Sequence, residues 1–222
     1  TPDFSMLQWS NVFDGDVYDG INRESVNPGD GGYGTGMISY GDELILFKGP
    51  FYSNMSYGGS SMYRVLGDIF DGSKFLTYLE KIPLPTNVGL VHGRTARILN
   101  GVLYFATNDG VYAYLGGGKA PELVSEIIRG EVNNWEKNDV HVSTRRAAAT
   151  VWENKYILSL YNDGDSADLF NNRIYVLEDG KWWVDILSEG NDDFQAGSST
   201  GMSWSPFRGD LYSGSAFTNV LR

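Results

Sequence analysis

Several residue types and patterns are missing from this chain. It has no cysteine, which excludes a disulfide framework, a zinc ribbon and a thiol nucleophile. No apolar run approaches the roughly 18 residues of a membrane-spanning helix. The opening Thr1-Pro2-Asp3 carries neither a basic region nor an apolar signal segment, and it lacks an initiator Met. We therefore expect a trimmed N-terminus or a piece of a longer protein.

Basic residues are scarce as well. The chain has 17 Lys and Arg against 28 Asp and Glu, a formal net charge of −11. This balance argues against direct nucleic-acid binding, which needs clustered Lys and Arg. It favours solubility and repulsion from other polyanions. Hydrophobic residues make up 41% of the 222 residues, enough for a sizeable core. We expect a single domain over residues 1–222.

What is abundant favours strands and tight turns. Aromatic residues reach 14%, glycine reaches 28 residues, and helical periodicity is almost absent. A strand-like block preceded by a polar turn recurs four times, and we take as equivalent its positions Leu44, Val102, Tyr156 and Leu211. An earlier strand before each turn carries a threonine: Thr35, Thr95, Thr144 and Thr200. The chain is therefore interpreted as a fourfold repeat.

A hairpin follows each of the first three blocks. Asp71-Gly72, Gly116–Gly118 and Asp179-Gly180 supply the positive φ angles that tight hairpin turns need. The predicted strands of these hairpins are Tyr63–Leu66 with Phe75–Leu79, Val111–Tyr114 with Leu123–Ile127, and Ile174–Leu177 with Trp182–Ile186. Each unit is therefore predicted to contain four short antiparallel strands.

Four-stranded units at this spacing predict an all-β fold. The expected architecture is a β-propeller of four four-stranded blades, or part of a larger propeller. The last unit, Thr200–Arg222, lacks an outer strand. We expect the strand-like segment Phe4–Trp9 to join the last blade and close the ring, with Trp9 in the position that Trp183 takes in its own blade.

Two acidic motifs are candidate metal sites. The pattern Asp-Gly-Asp-x-x-Asp occurs twice, with its carboxylates at Asp14, Asp16, Asp19 and at Asp163, Asp165, Asp168. Oxygen ligands at such spacing can gather around Ca²⁺, yet neither copy has the bidentate Glu of a helix-loop-helix calcium loop. We favour structural turns, and we predict no metal, cofactor or catalytic residue.

A second motif, His-x-x-Thr-x-Arg, also occurs twice. It places His92 with Arg97, and His141 with Arg146. One interpretation puts these cations at a central channel, where they would bind an anion. The other makes them a buried polar brace that recurs because the architecture recurs. We favour the brace.

Aromatic residues mark candidate contact surfaces. The insertion Gly49–Ser61 carries Phe51, Tyr52 and Tyr57, which we expect to contact partners. Tryptophan can stack on sugar rings or fill the space between blades, and we favour the second role for Trp135, Trp152 and Trp204.

The segments Asn100–Tyr114 and Glu153–Leu160 show a recurring order of sequence features: a polar turn, an apolar strand and Asp-Gly. In this order of features the chain resembles the propeller domains of tailed-phage neck, nozzle and tail-associated proteins. The resemblance implies a non-enzymatic structural or adhesive role in a virion. The partners that it implies are other tail subunits, copies of this chain in a homo-oligomeric ring, or a host-surface glycan. The alternative is an extracellular carbohydrate-binding or glycoside-hydrolase propeller, although the sialidase pattern Ser-x-Asp-x-Gly-x-x-Trp has no clean match.

Overall fold

The computed structural model covers the whole chain and describes its strand-rich parts. The described residues are 6–8, 23–27, 32–50, 61–70, 75–84, 93–107, 109–133, 135, 147–160, 173–186, 203–207, 210–214 and 220–221. All structural statements below concern these residues.

Three four-stranded antiparallel meanders form the body of the structure. The first sheet contains β3 (Gly32–Tyr40), β4 (Glu43–Pro50), β5 (Ser61–Phe70) and β6 (Phe75–Ile82). The second contains β7 (Arg97–Leu99), β8 (Val102–Thr107), β9 (Gly110–Tyr114) and β10 (Glu122–Leu123). The third contains β11 (Ala148–Trp152), β12 (Lys155–Leu160), β13 (Arg173–Glu178) and β14 (Lys181–Ile186). The predicted all-β class and strand order are confirmed for these units.

The two ends of the chain form smaller sheets. In the last unit the structure describes three strands, β15 (Ser203–Phe207), β16 (Asp210–Gly214) and β17 (Val220–Leu221). Near the N-terminus β1 (Met6–Gln8) pairs with β2 (Arg23–Ser25), and we call this pair the ribbon. The expectation that the N-terminal strand pairs with the last sheet is therefore wrong for the described residues, because its ladder partner is β2.

Two-residue turns join the first and second strands of each of the three four-stranded sheets. In the second sheet Leu99 pairs with Val102, and Asn100 and Gly101 between them have φ angles of 51° and 77°. These angles favour glycine and asparagine, as the sequence indicated. Val102 is therefore the first residue after the turn of the second sheet, as Glu43 is the first residue after the turn of the first sheet. The residue equivalent to Leu44 is therefore Leu103 rather than Val102, a one-residue correction that reverses which face the side chain occupies.

The outer part of the second sheet differs from the prediction. The expected strand Leu123–Ile127 ends at Leu123, and Glu126–Ile128 form a 3-10 helix that leads into α1 (Arg129–Asn133). The cause is the Ser125 side chain, whose Oγ accepts the Val111 N–H at 2.9 Å. This bond satisfies a donor that a longer β10 would have paired, so the ladder stops there.

The sheets stack in chain order through alternate side chains of their central strands. One core cluster joins Phe47 of the first sheet to Leu103 and Phe105 of the second. Another joins Ala106 of the second sheet to Leu158 of the third. First strands of successive sheets also lie side by side: β7 contacts β11, and β11 contacts β15. The second sheet is therefore covered on both faces, by the first sheet and by the third, which fits the strand period of two.

Candidate functional site

The interface between the second and third sheets is held by buried polar bonds as well as apolar packing. The hydroxyl of Tyr156, which is fully buried, donates to the Thr95 carbonyl at 2.9 Å. At the turns Asn100 Nδ2 donates to Asn154 Oδ1 at 2.6 Å. Burial raises the pKa of Tyr156 above its usual value near 10. A paired, neutral tyrosine at this depth stabilises one fixed alignment of the two sheets.

A charged network spans the first and second sheets. Arg64 donates to Glu43 Oε1 at 2.7 Å and, through Nε, to Glu80 Oε2 at 2.6 Å. The other oxygen of Glu43 accepts the hydroxyl of Tyr114 at 3.1 Å. Tyr114 in turn accepts the Gly118 N–H at 3.0 Å. The network therefore fixes the outer loop of the second sheet against the first.

Two glycines allow a close approach between β3 and the 3-10 helix Gly93–Thr95 that precedes β7. A Cβ added at Gly36 would lie 2.5 Å from the Cα of Gly93, so neither position has room for a side chain. The neighbouring threonines differ in setting. Thr95 Oγ1 accepts the Ala106 N–H at 3.1 Å, whereas Thr35 Oγ1 is buried at the irregular Gly34–Gly36 register without a hydrogen-bond partner. The predicted equivalence of these two threonines is wrong, and Thr144 and Thr200 lie outside the described residues.

A pocket opens on the face of the first sheet that points away from the second. The ribbon packs across this face, with Leu7 against Val26, Leu46 and Tyr63. Between ribbon and sheet remains a cavity of about 230 Å³ lined by Met6, Leu7, Val26, Gly34, Gly36, Met37, Leu46, Phe47 and Lys48. We call this cavity the ribbon pocket.

Polar groups around the ribbon pocket are partly satisfied. The buried ammonium of Lys48 donates to the Val26 carbonyl at 2.6 Å and to the Asn27 carbonyl at 3.0 Å, which ties the ribbon to the sheet. By contrast, the buried Ser61 Oγ and Tyr63 hydroxyl have no hydrogen-bond partner among the described residues. Ser61 pairs with Lys48 and Tyr63 with Leu46, so both side chains are on the pocket's side of the sheet.

Carboxylates that lie close together in the described regions are engaged by arginine. Arg64 holds Glu43 and Glu80, as described above. Arg129 bonds Asp109 at 3.0 Å and Glu126 at 2.6 Å. In both cases an arginine bonds two carboxylates. Such ion pairs link loops and strands and are structural contacts.

Most residues singled out in the sequence lie outside the described part of the chain. This holds for both Asp-Gly-Asp-x-x-Asp motifs (Asp14, Asp16, Asp19, Asp163, Asp165 and Asp168), for His92, His141 and Arg146, and for Phe51, Tyr52 and Tyr57. Within the described residues, no group of three His, Cys, Asp or Glu is arranged to hold a metal ion. The preference for turns over calcium sites therefore stays a prediction.

Arg97 is the one member of the His-x-x-Thr-x-Arg cations that the structure describes. It lies on β7 opposite Tyr104, and its Nη1 donates to the Ala96 carbonyl at 2.6 Å. Burial lowers the pKa of its guanidinium. The bond to a neighbouring carbonyl fits the brace, while the anion hypothesis stays a prediction.

The tryptophans divide between core and surface. Trp135 is buried and meets Tyr175 edge-on at 5.4 Å, which confirms its predicted space-filling role. Trp152 is half-buried. The sequence reasoning missed the ribbon pocket, whose sequence signal is the glycine-rich start of β3 beside Met37. Glycines there leave the sheet surface without side chains, so a cavity forms when the ribbon docks.

Comparison with known proteins leaves the family open. A scan against protein-family models and a search of curated proteins each returned no match. As for membranes, the described helices are too short and too polar to cross one.

Proposed function

We propose that this chain is a non-enzymatic β-propeller platform of a phage-like virion or tail. The observation that carries the proposal is the succession of meander sheets, stacked face to face in chain order and linked by buried side chains. A module of this kind holds loops at fixed positions, which is what subunit or host-surface contacts require. The virion setting rests on the resemblance to phage propeller domains.

The positions of the two ends of the chain support the proposed ring closure. The ribbon covers one end of the stack, against the first sheet. The strand β15 lies beside β11 at the other end. In a four-sheet ring both would occupy the fourth position, with β15–β17 as inner strands and the ribbon outside them. In this proposal the ring is closed by packing of the ribbon, in place of the shared ladder that the sequence predicted.

The virion assignment is tested on purified particles. Antibody raised against the chain should decorate the neck or tail of particles from cells that produce the protein. A second test uses the insertion between β4 and β5. Replacing residues 51–60 by a tight turn should disrupt particle assembly. Normal particles without these residues would contradict their role as a contact surface.

The enzymatic alternative is tested with host polysaccharide. Our proposal expects no new reducing ends when purified chain is incubated with it, with or without Ca²⁺. Release of sugars, together with protein that remains in the particle-free supernatant, would favour an extracellular glycoside hydrolase instead.

A further inference from the structure

The turn between β7 and β8 contains the single Asn-Gly dipeptide of the chain, Asn100-Gly101. In this dipeptide the asparagine side chain is open to attack by the next backbone nitrogen, because glycine has no side chain to hinder that nitrogen. Asn100 is exposed, and a Cβ added at Gly101 would meet nothing within 4 Å. Water therefore reaches the turn, and there is space for a reaction.

The reaction available to this dipeptide is deamidation. The Gly101 nitrogen loses its proton and attacks Cγ of Asn100. A C–N bond forms, the Cγ–Nδ2 bond breaks, and Nδ2 leaves with the proton as ammonia, so that a five-membered succinimide remains. One water molecule then opens either carbonyl of the ring. The products are aspartate or isoaspartate at position 100, and water is the one co-reactant.

The backbone conformation of the folded turn holds the reacting atoms apart. The φ angle of Asn100 is 51°, in the left-handed region, where ψ lies at about 30–60°. At such a ψ the Gly101 nitrogen is nearly anti to Cβ of Asn100 about the Cα–C bond. Ring closure needs these two atoms nearly eclipsed, so the turn must leave its folded conformation before the reaction starts.

Contacts from both neighbouring sheets hold the turn in place. From the first sheet, the Tyr40 hydroxyl donates to the Gly101 carbonyl at 2.5 Å. Towards the third sheet, Asn100 Nδ2 donates to Asn154 Oδ1 at 2.6 Å. The second bond restrains the very amide that would react. Reaction at Asn100 therefore requires that the turns of the second and third sheets separate.

We propose that Asn100-Gly101 is a latent deamidation site, which the Asn154 side chain keeps unreactive while the second and third sheets are stacked. Isoaspartate would add one main-chain carbon to a two-residue turn and so displace the Gly101 carbonyl from Tyr40. The new carboxylate would have no proton to donate to Asn154. The site thus converts a transient separation of the sheets into a permanent covalent change.

The test follows deamidation of the full chain in ¹⁸O-labelled water at mildly alkaline pH. Trypsin releases residues 98–119, and fragmentation in a mass spectrometer locates the incorporated ¹⁸O at position 100. Chromatography separates the isoaspartate peptide from the aspartate peptide. We expect the folded chain to react at least about tenfold more slowly than the same chain unfolded in urea, because the turn must first open.

Three variants isolate the contact with Asn154. Asn154→Gly removes the acceptor and suits the φ angle of 64° at this position. It should raise the rate in the folded chain about fivefold, the effect of losing one hydrogen bond on the opening equilibrium. Asn154→Asp keeps an acceptor and should react as the parent does. Glu178→Gln removes the ion pair with the adjacent Lys155 and should also leave the rate unchanged. Urea denaturation establishes that each variant is folded under the conditions of the assay.

Each alternative outcome contradicts a part of the proposal. Equal rates in the folded and the unfolded chain would show that the turn does not restrain the reaction. An unchanged rate in Asn154→Gly, or an equal rise in Glu178→Gln, would remove the role of Asn154. No ¹⁸O at position 100 in the unfolded chain would mean that the site is unreactive. None of these results bears on particle assembly, so failure here is distinguishable from failure of the proposed function.

Discussion

The interface between the second and third sheets and the outward face of the first sheet are built differently. At the interface, Tyr156 and Leu158 are fully buried and the Tyr156 hydroxyl is bonded. At the outward face the sheet is covered by the ribbon, whose two strands have three residues each, and a cavity remains beneath it. The buried Tyr63 hydroxyl there has no hydrogen-bond partner among the described residues. The interface therefore combines dense apolar packing with a bonded tyrosine hydroxyl, although the buried Trp135 Nε1 in the same cluster has no hydrogen-bond partner among the described residues. On the outward face two buried hydroxyls, those of Ser61 and Tyr63, lack a hydrogen-bond partner among the described residues, which is a cost to the folded state.

The largest loss of stability should come from removing a buried side chain at the interface between the second and third sheets. Tyr156→Ala removes a fully buried ring between the second and third sheets. We expect a loss of about 3–5 kcal/mol in the free energy of unfolding, measured by urea denaturation. A loss below about 1 kcal/mol would mean that the two sheets are not packed as described.

A side chain added at the close approach of Gly36 and Gly93 should cause the next largest loss in the free energy of unfolding. Gly93→Ala forces a Cβ onto the backbone of Gly36, and we expect a loss of about 1–3 kcal/mol. The control is Gly130→Ala in α1, where a Cβ meets nothing within 4 Å and helix propensity improves. Equal stability of the two variants would contradict the contact.

A pair of hydroxyl deletions compares the two regions directly. Tyr156→Phe leaves the buried Thr95 carbonyl without this donor and should cost about 1–2 kcal/mol. Tyr63→Phe removes a buried hydroxyl that lacks a partner, so stability should stay within about 0.5 kcal/mol or rise. The reverse order of the two losses would show that the contrast between the regions is wrong.

The smallest effect concerns alkaline pH. Burial is the main cause that raises the pKa of Tyr156 and of Tyr112, where Asp109 adds to it. Above the unfolded pKa of about 10 the native state therefore binds more protons than the unfolded state. The contribution of these two tyrosines to the free energy of unfolding should be constant below that pH and fall as the pH rises above it. Tyr156→Phe should make this fall shallower, and an unchanged slope in denaturation series from pH 9 to 11 would contradict it.

Local patterns made the sheets predictable. Turns such as Asn100-Gly101 and Asp179-Gly180 have left-handed φ angles, and their residue types encode them. The stacking of the sheets was predictable as well, because a strand with apolar side chains on both faces must be packed against other elements on both sides. The one-residue error at Val102 arose from an alternation that is apolar on both faces, which leaves the register ambiguous in sequence.

The candidate site was much less predictable. The ribbon pocket depends on tertiary packing of β1 and Val26 against β3 and β4, and on an irregular register at Gly34–Gly36. The outer strand of the second sheet failed for a similar reason, since the Ser125 hydroxyl takes over a ladder bond across the sheet. Such contacts arise from tertiary packing and leave no periodic signal.

Ring closure is the central claim, and a distance across the two ends tests it most directly. Because the chain lacks cysteine, Gln8→Cys on β1 and Ser213→Cys on β16 can be spin-labelled cleanly in one protein. If the ribbon and the last sheet share the fourth position, the labels should lie roughly 10–20 Å apart, one to two sheet spacings. A single population beyond about 30 Å, the span of three sheet spacings, would show an open array and contradict the ring.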